Sequence, residues 1–217
     1  MNIWYFWRTY VRYSEDMLTS LADHPKPSHL PVSDAVRSFI PEGQLIRGRV
    51  VACSGDAALS VALSLVAQAT QEGSWLAVVG VQHIAILAAV ERGIALERLV
   101  LVHPPQQSTE WSTTVAAVVD GFDLIIMSVP RGVSPSDIRR VHTRIQARQS
   151  IAIIVNNDSS GIKSSQLFHP DVVLHTTTSQ WVGPDQGAGF LQHRDVRVQV
   201  SGRRVPRPTE HIVRHIG

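Results

Sequence analysis

Short β-branched apolar runs alternate with amphipathic stretches along most of this chain, and that alternation limits what it can fold into. Arg49–Ser54, Ser74–Val79, Leu99–His103, Phe122–Val129 and Ile151–Asn156 read as buried strands. Between them Ala57–Gln71, Ile84–Arg92, Ser108–Val119 and Ser136–Arg148 carry apolar residues at helical spacing. Gly93 fits a helix C-cap, and Ser134-Pro135 fits a helix start. Asp171–Thr176 and Val196–Ser201 read as later strands. Strands of this kind, apolar over nearly continuous runs, belong to a mostly parallel sheet covered by helices on both faces. The expected class is therefore α/β.

At 217 residues, 44% hydrophobic and 18% charged, the chain suits one folded domain with tails. The expected division is an aromatic extension and proline-rich linker at 1–30, a core at 31–193, and a basic tail at 194–217. The first 13 residues hold Trp4, Tyr5, Phe6, Trp7, Tyr10 and Tyr13, and the stretch through Leu21 reads as a helix that meets a partner surface or packs on its own domain, or else as a poorly ordered extension. His24–Pro31 contains Pro25, Pro27 and Pro31, so regular structure is expected to stop there. The tail holds Arg194, Arg197, Arg203, Arg204, Arg207 and Arg214 against only Asp195 and Glu210, which suits nucleic acid, an acidic protein face, or simple solvation. The one cysteine, Cys53, fits a reducing cytoplasm, and no apolar run approaches the length that spans a bilayer. The histidines show no zinc-site spacing, and His83, His103, His142, His169 and His175 fall on separate segments with no convincing Ser/His/Asp set. Trp111 and Trp181 follow polar stretches and fit either an interface or the core.

Ligands of α/β domains usually sit at the carboxyl ends of the strands. Here the first such strand runs into Gly55-Asp-Ala-Ala-Leu-Ser60-Val61-Ala62, the setting of a phosphate loop. Gly55 fits the first glycine. Ser60 stands for the second glycine, Val61 for the lysine and Ala62 for the Ser/Thr that holds Mg²⁺. The chain thus lacks the cation and the metal ligand for a triphosphate, and Asp56 adds a negative charge. A strand–turn–helix junction that never bound phosphate reads the same way.

The register resembles the RecA-like fold over about residues 45–176. Gly48-Arg-Val-Val opens like that core. Gly73-Ser-Trp-Leu-Ala-Val-Val-Gly-Val-Gln82-His83 resembles the strand after which the family has a catalytic Glu followed by His, and Gln82 occupies the Glu position. Phe122-Asp-Leu-Ile-Ile-Met-Ser128 resembles the Walker B strand, with Ser128 in place of its terminal Asp. Ile153-Ile-Val-Asn156-Asn157 resembles a later strand ending in Asn-Gln. The polar stretch Asn156–Ser165 lies where that family places a DNA-binding loop, but offers only Lys163 and no aromatic.

Further stretches resemble the actinobacterial ImuA-like (ImuA-prime) proteins of the RecA/SulA-like superfamily. They are Gly73-Ser-Trp-Leu-Ala-Val-Val-Gly80, Ala95-Leu-Glu-Arg98-Leu, Asp120-Gly-Phe-Asp123, Ser136-Asp-Ile-Arg139-Arg140 and Gly187-Ala-Gly189-Phe-Leu. The resemblance implies a non-catalytic accessory protein of damage-induced mutagenic translesion DNA synthesis. It would act as an adaptor for an ImuB-like protein (a Y-family polymerase homologue without activity) and an error-prone C-family polymerase, with no cofactor and no metal. Two alternatives stay open: a SulA-like inhibitor of cell division, and a nucleotide-binding sensor without hydrolysis. Candidate contact residues for a partner or DNA are Arg139, Arg140 and Arg144 on one helix face, opposite Ile138, Val141 and Ile145, and Arg203 and Arg204 in the tail.

Overall fold

The computed structural model describes residues 27–81, 84–103, 108–156, 168–183, 189–190 and 192–216. The aromatic extension through Leu21 lies outside the described residues. Ten strands and four α-helices follow one another: β1 (His29–Leu30), β2 (Leu45–Ile46), β3 (Val50–Gly55), α1 (Ala58–Gln71), β4 (Leu76–Val79), α2 (Ile86–Glu91), β5 (Leu99–Val102), α3 (Ser108–Gly121), β6 (Leu124–Met127), α4 (Pro135–Arg148), β7 (Ile151–Asn156), β8 (Val172–Val182), β9 (His193–Ser201) and β10 (Thr209–Ile216). These counts refer to the described residues.

Eight strands form one sheet in the order β10-β9-β8-β3-β7-β6-β4-β5. The six from β8 to β5 are parallel, and β9 and β10 are antiparallel additions. This mostly parallel, helix-flanked sheet is the α/β architecture expected and is consistent with a RecA-like fold. The linker is not free of regular structure, because β1 within it pairs with β2. Pro31 follows β1 directly, and no N–H of Pro31 is needed for the two-residue pairing His29↔Ile46 and Leu30↔Leu45.

The central strands bury alternate residues in two cores. Leu76, Val78, Leu124, Ile126, Ile151 and Ile153 face α1, α2 and the 30–45 segment. Ala77, Val79, Ile125, Met127, Ala152 and Ile154 face α3 and α4. Both faces being dry explains why the strands read as unbroken apolar runs. Trp111 belongs to the second core: it is fully buried, stacks edge-on against Phe168, and donates Nε1–H to the Ser128 carbonyl at 3.1 Å. In contrast, Trp181 is 56% exposed.

The helix ends follow local chemistry. Ser134 caps α4 by accepting the Asp137 N–H at 3.1 Å, with Pro135 at the first position. Gly93 ends α2 at φ +86°, while the Ile94 N–H reaches the Ala89 carbonyl at 3.0 Å.

Residues 194–216 are not a tail. They form β9, a turn and β10, in one continuous antiparallel register from Thr209↔Val200 to Ile216↔His193. β9 is buried on one face only, through Val196, Val198 and Val200, and Arg197 and Gln199 between them point outward.

Candidate functional site

The turn from β3 to α1 consists of Asp56 and Ala57 alone. The positions aligned with the rest of a phosphate loop, through Ser60, Val61 and Ala62, are already helical. Val61 and Ala62 are fully buried in the first core, so neither faces a ligand. Gly55 adopts φ +98° where β3 meets β8, and a Cβ there would lie 1.9 Å from the Thr176 carbonyl oxygen. The close strand approach therefore accounts for the glycine without any phosphate.

The junction is filled by the chain's own polar groups. The Ala57 N–H, which would face an anion at the start of α1, donates to Thr176 Oγ1 at 3.0 Å. Thr176 Oγ1 in turn donates to the Ser54 carbonyl at 2.9 Å, and the residue is buried. The Asp56 carboxylate accepts the Thr178 N–H at 2.8 and 3.1 Å. Ser60 Oγ accepts from Arg194 Nη2 at 3.0 Å, and that guanidinium lies 5.2 Å from the Trp181 ring centre, a cation–π distance. Ser54 Oγ lies 3.0 Å from His175 Nδ1. The Ala57 N–H is thus taken by β8, and the nearby cation, Arg194 of β9, is held by Ser60 of α1. Replacing Thr176 with valine leaves the buried Ala57 N–H without its acceptor, and a stability loss of about 1–3 kcal/mol in urea melts is expected.

At the neighbouring strand ends, Ser128 is half-buried with its carbonyl held by Trp111, and Asn156 is buried at the end of β7. Gln82, His83, Asn157 and Lys163 lie outside the described residues.

The candidate contact arginines are not one surface. Arg139 and Arg140 are exposed on α4. Arg144 forks onto Asp120 through Nε at 2.7 Å and Nη2, and Arg148 joins the same carboxylate at 2.9 Å. Arg203 and Arg204 converge on the buried Asp171 at 2.7 and 3.6 Å. In the C-terminal segment Arg197 pairs with Glu210, Arg214 with Asp195, and Arg194 with Ser60. Among the described residues only Arg207 of the six shows no such partner. The positive excess of the sequence is therefore largely built into β8–β10.

These pairs set a pH dependence. Hydrogen bonding from Arg144 holds Asp120 below the usual carboxylate range, against its desolvation, with help from Arg148. Burial alone would raise Asp171. The Arg203 and Val50 hydrogen bonds and the charges of Arg203 and Arg49 outweigh it and lower the group. Arg214 lowers Asp195 in the same way. A carboxylate lowered on folding stabilises the fold above its unfolded pKa, and that contribution is lost as pH falls through the folded value. Burial is the chief cause that holds His142 below its ordinary value, so stability should begin to fall as pH drops through about 6.5; the melting temperature should fall more steeply below about pH 4 as the carboxylates protonate, with a shallower drop there in Asp171→Asn.

Sequence reading had not found Thr176 or Asp171, because their roles come from residues more than a hundred positions away. It had singled out Asp120-Gly-Phe-Asp123 as a motif without a physical role. The fold supplies one. Asp120 clamps α4, and Asp123 accepts from Arg47 Nη1 at 2.9 Å. Arg47 also donates to the carbonyls of Pro27 and Gln149, at 2.7 and 3.1 Å. Both acids sit where α3 turns into β6.

The MT3502 N-terminal domain family matches residues 38–161, which run from the first core segment through β7 and include this motif. The chain belongs to that family. It is also similar to the uncharacterized protein Rv3395c of Mycobacterium tuberculosis, with 32% identity over 168 residues, 76% of this chain and 79% of the relative. The family match covers the β3–α1 junction, whereas Thr176, Thr178 and Arg194, which occupy it, come from strands beyond residue 161.

A cavity of about 230 Å³ opens between α1, the end of α2, residues 33–36 and β10. Part of its polar lining is engaged: Gln71 donates to the Gly93 carbonyl, Gln68 to Glu72, and Arg214 to Asp195. No helix among the described residues is long and apolar enough to cross a membrane.

Proposed function

We propose that this chain is an ImuA-like, non-catalytic accessory protein of mutagenic translesion DNA synthesis, acting in the cytoplasm as an adaptor. Its partners would be an ImuB-like polymerase homologue and an error-prone C-family polymerase. The observation that carries the reading is the β3–α1 junction, where a RecA-like scaffold keeps its strand and helix but ties the Ala57 N–H to Thr176 and Asp56 to the Thr178 N–H, with Val61 and Ala62 turned into the core. A scaffold of this kind serves as a platform for protein contact. The stretches resembling ImuA-like proteins supply the choice of partner.

The reading is tested by pulldown of the tagged full chain from damage-treated cells. Co-recovery of an ImuB-like protein is expected. Recovery of a tubulin-like division protein in its place would overturn the adaptor reading in favour of a SulA-like inhibitor.

A further inference from the structure

β10 closes one end of the sheet, and among the described residues no strand pairs with its outer edge. Its eight residues contain no proline, so the edge keeps a full row of N–H and C=O groups. Its register with β9 shows no bulge that would twist the edge away. The opposite edge, β5, is only four residues long.

The side chains of β10 divide cleanly. Val213 packs on the first core and the His211 ring lies 5.7 Å from Phe39, so 211 and 213 face inward. Glu210, Ile212 and Arg214 face outward, and Ile212 is 65% exposed. Read along the strand, this outer row is negative, apolar, positive, with equal spacing about Ile212.

An antiparallel copy of the same strand, paired at Ile212, is complementary to that row. Ile212 meets the partner's Ile212. Glu210 meets the partner's Arg214, and Arg214 meets the partner's Glu210. The charges behind continue the pattern: Arg197 already pairs with Glu210, and Asp195 with Arg214, so signs alternate from strand to strand through the contact. Sliding by one position would set the inward His211 against the outward Arg214 and turn one face inside out.

The geometry points to a second copy of this chain as the occupant of this edge. In the resulting two-fold dimer β10 pairs with its own counterpart and one sheet runs through both copies.

Light scattering and sedimentation of the purified full chain test this. A concentration-dependent dimer is expected. Glu210→Arg and Arg214→Glu should each weaken it roughly tenfold or more, since either places like charges opposite each other twice. Mixing these two variants in equal amounts should restore association, because the introduced charges are then opposite in sign across the contact. Ile212→Lys should also weaken the dimer, and melts should show all three variants folded, since Glu210, Ile212 and Arg214 are exposed residues. A chain that stays monomeric at every concentration, a dimer indifferent to the three substitutions, or a mixture that fails to reassociate would overturn the inference. If another segment or another protein covers this edge, the purified chain will behave as the monomer does.

Discussion

Gly55→Ala is expected to destabilise the fold by roughly 3–5 kcal/mol, near the upper end for a single substitution. Two costs add. The backbone is at φ +98°, where a side chain is strained, and the new Cβ would lie 1.9 Å from the Thr176 carbonyl oxygen, 2.8 Å from its carbon and 2.8 Å from Oγ1. That neighbour is backbone in the middle of a paired strand, so it cannot move aside without breaking the β3–β8 ladder, which holds Gly55 opposite Thr176. It is also the residue that occupies the start of α1, so the damage should spread into the junction. Gly73 separates the two costs. It has φ +100° with nothing within 4 Å of the added Cβ, and Gly73→Ala should lose only about 1–2 kcal/mol. Urea melts of both variants read the difference. Equal losses would show that the close approach of β8 does not constrain the junction.

The second large effect is expected at Arg47. Its side chain is 4% exposed and that of Asp123 is 13% exposed, so the pair is largely removed from water. The guanidinium also serves the Pro27 and Gln149 carbonyls, tying the start of the described chain to the end of α4. Arg47→Met keeps most of the apolar stem and removes every donor. A loss of roughly 3–5 kcal/mol is expected, because a buried carboxylate is left without its cation. Arg47→Met combined with Asp123→Leu should recover part of that loss, since removing both charges costs far less than removing one. A double variant no more stable than Arg47→Met would show that the carbonyl contacts, and not the ion pair, carry the stability.

The central sheet was legible because both faces of β3, β4, β6 and β7 are dry, which forces continuous apolar runs that nothing else in the chain imitates. β10 was not, for the converse reason. Among its described side chains, His211 and Val213 face the core while Glu210, Ile212 and Arg214 meet solvent, so Thr209–Ile216 reads as charge and not as a strand. The arginines misled in the same region. A composition counts Arg203 and Arg204 as free positive charge, but the fold brings the buried Asp171 to them from some thirty residues away. At the junction the absence of a cation or a hydroxyl at Val61 and Ala62 was plain in the sequence. What stands in their place was not, because Thr176 and Thr178 lie some 120 residues further along and reach Ala57 and Asp56 only through the pairing of β8 with β3. Gly55 fitted either a phosphate loop or a plain strand–turn–helix junction, and the close approach of β8 is enough to require it.

We propose that this α/β scaffold handles no nucleotide, because Thr176 and Asp56 engage the β3–α1 junction. Calorimetry of the full chain with millimolar Mg-ATP, read together with phosphate release, tests it most directly. The expected result is no binding heat and no release above background. Saturable heat together with phosphate release above background would contradict it, and would mean that the contacts of Thr176 and Asp56 give way to a triphosphate.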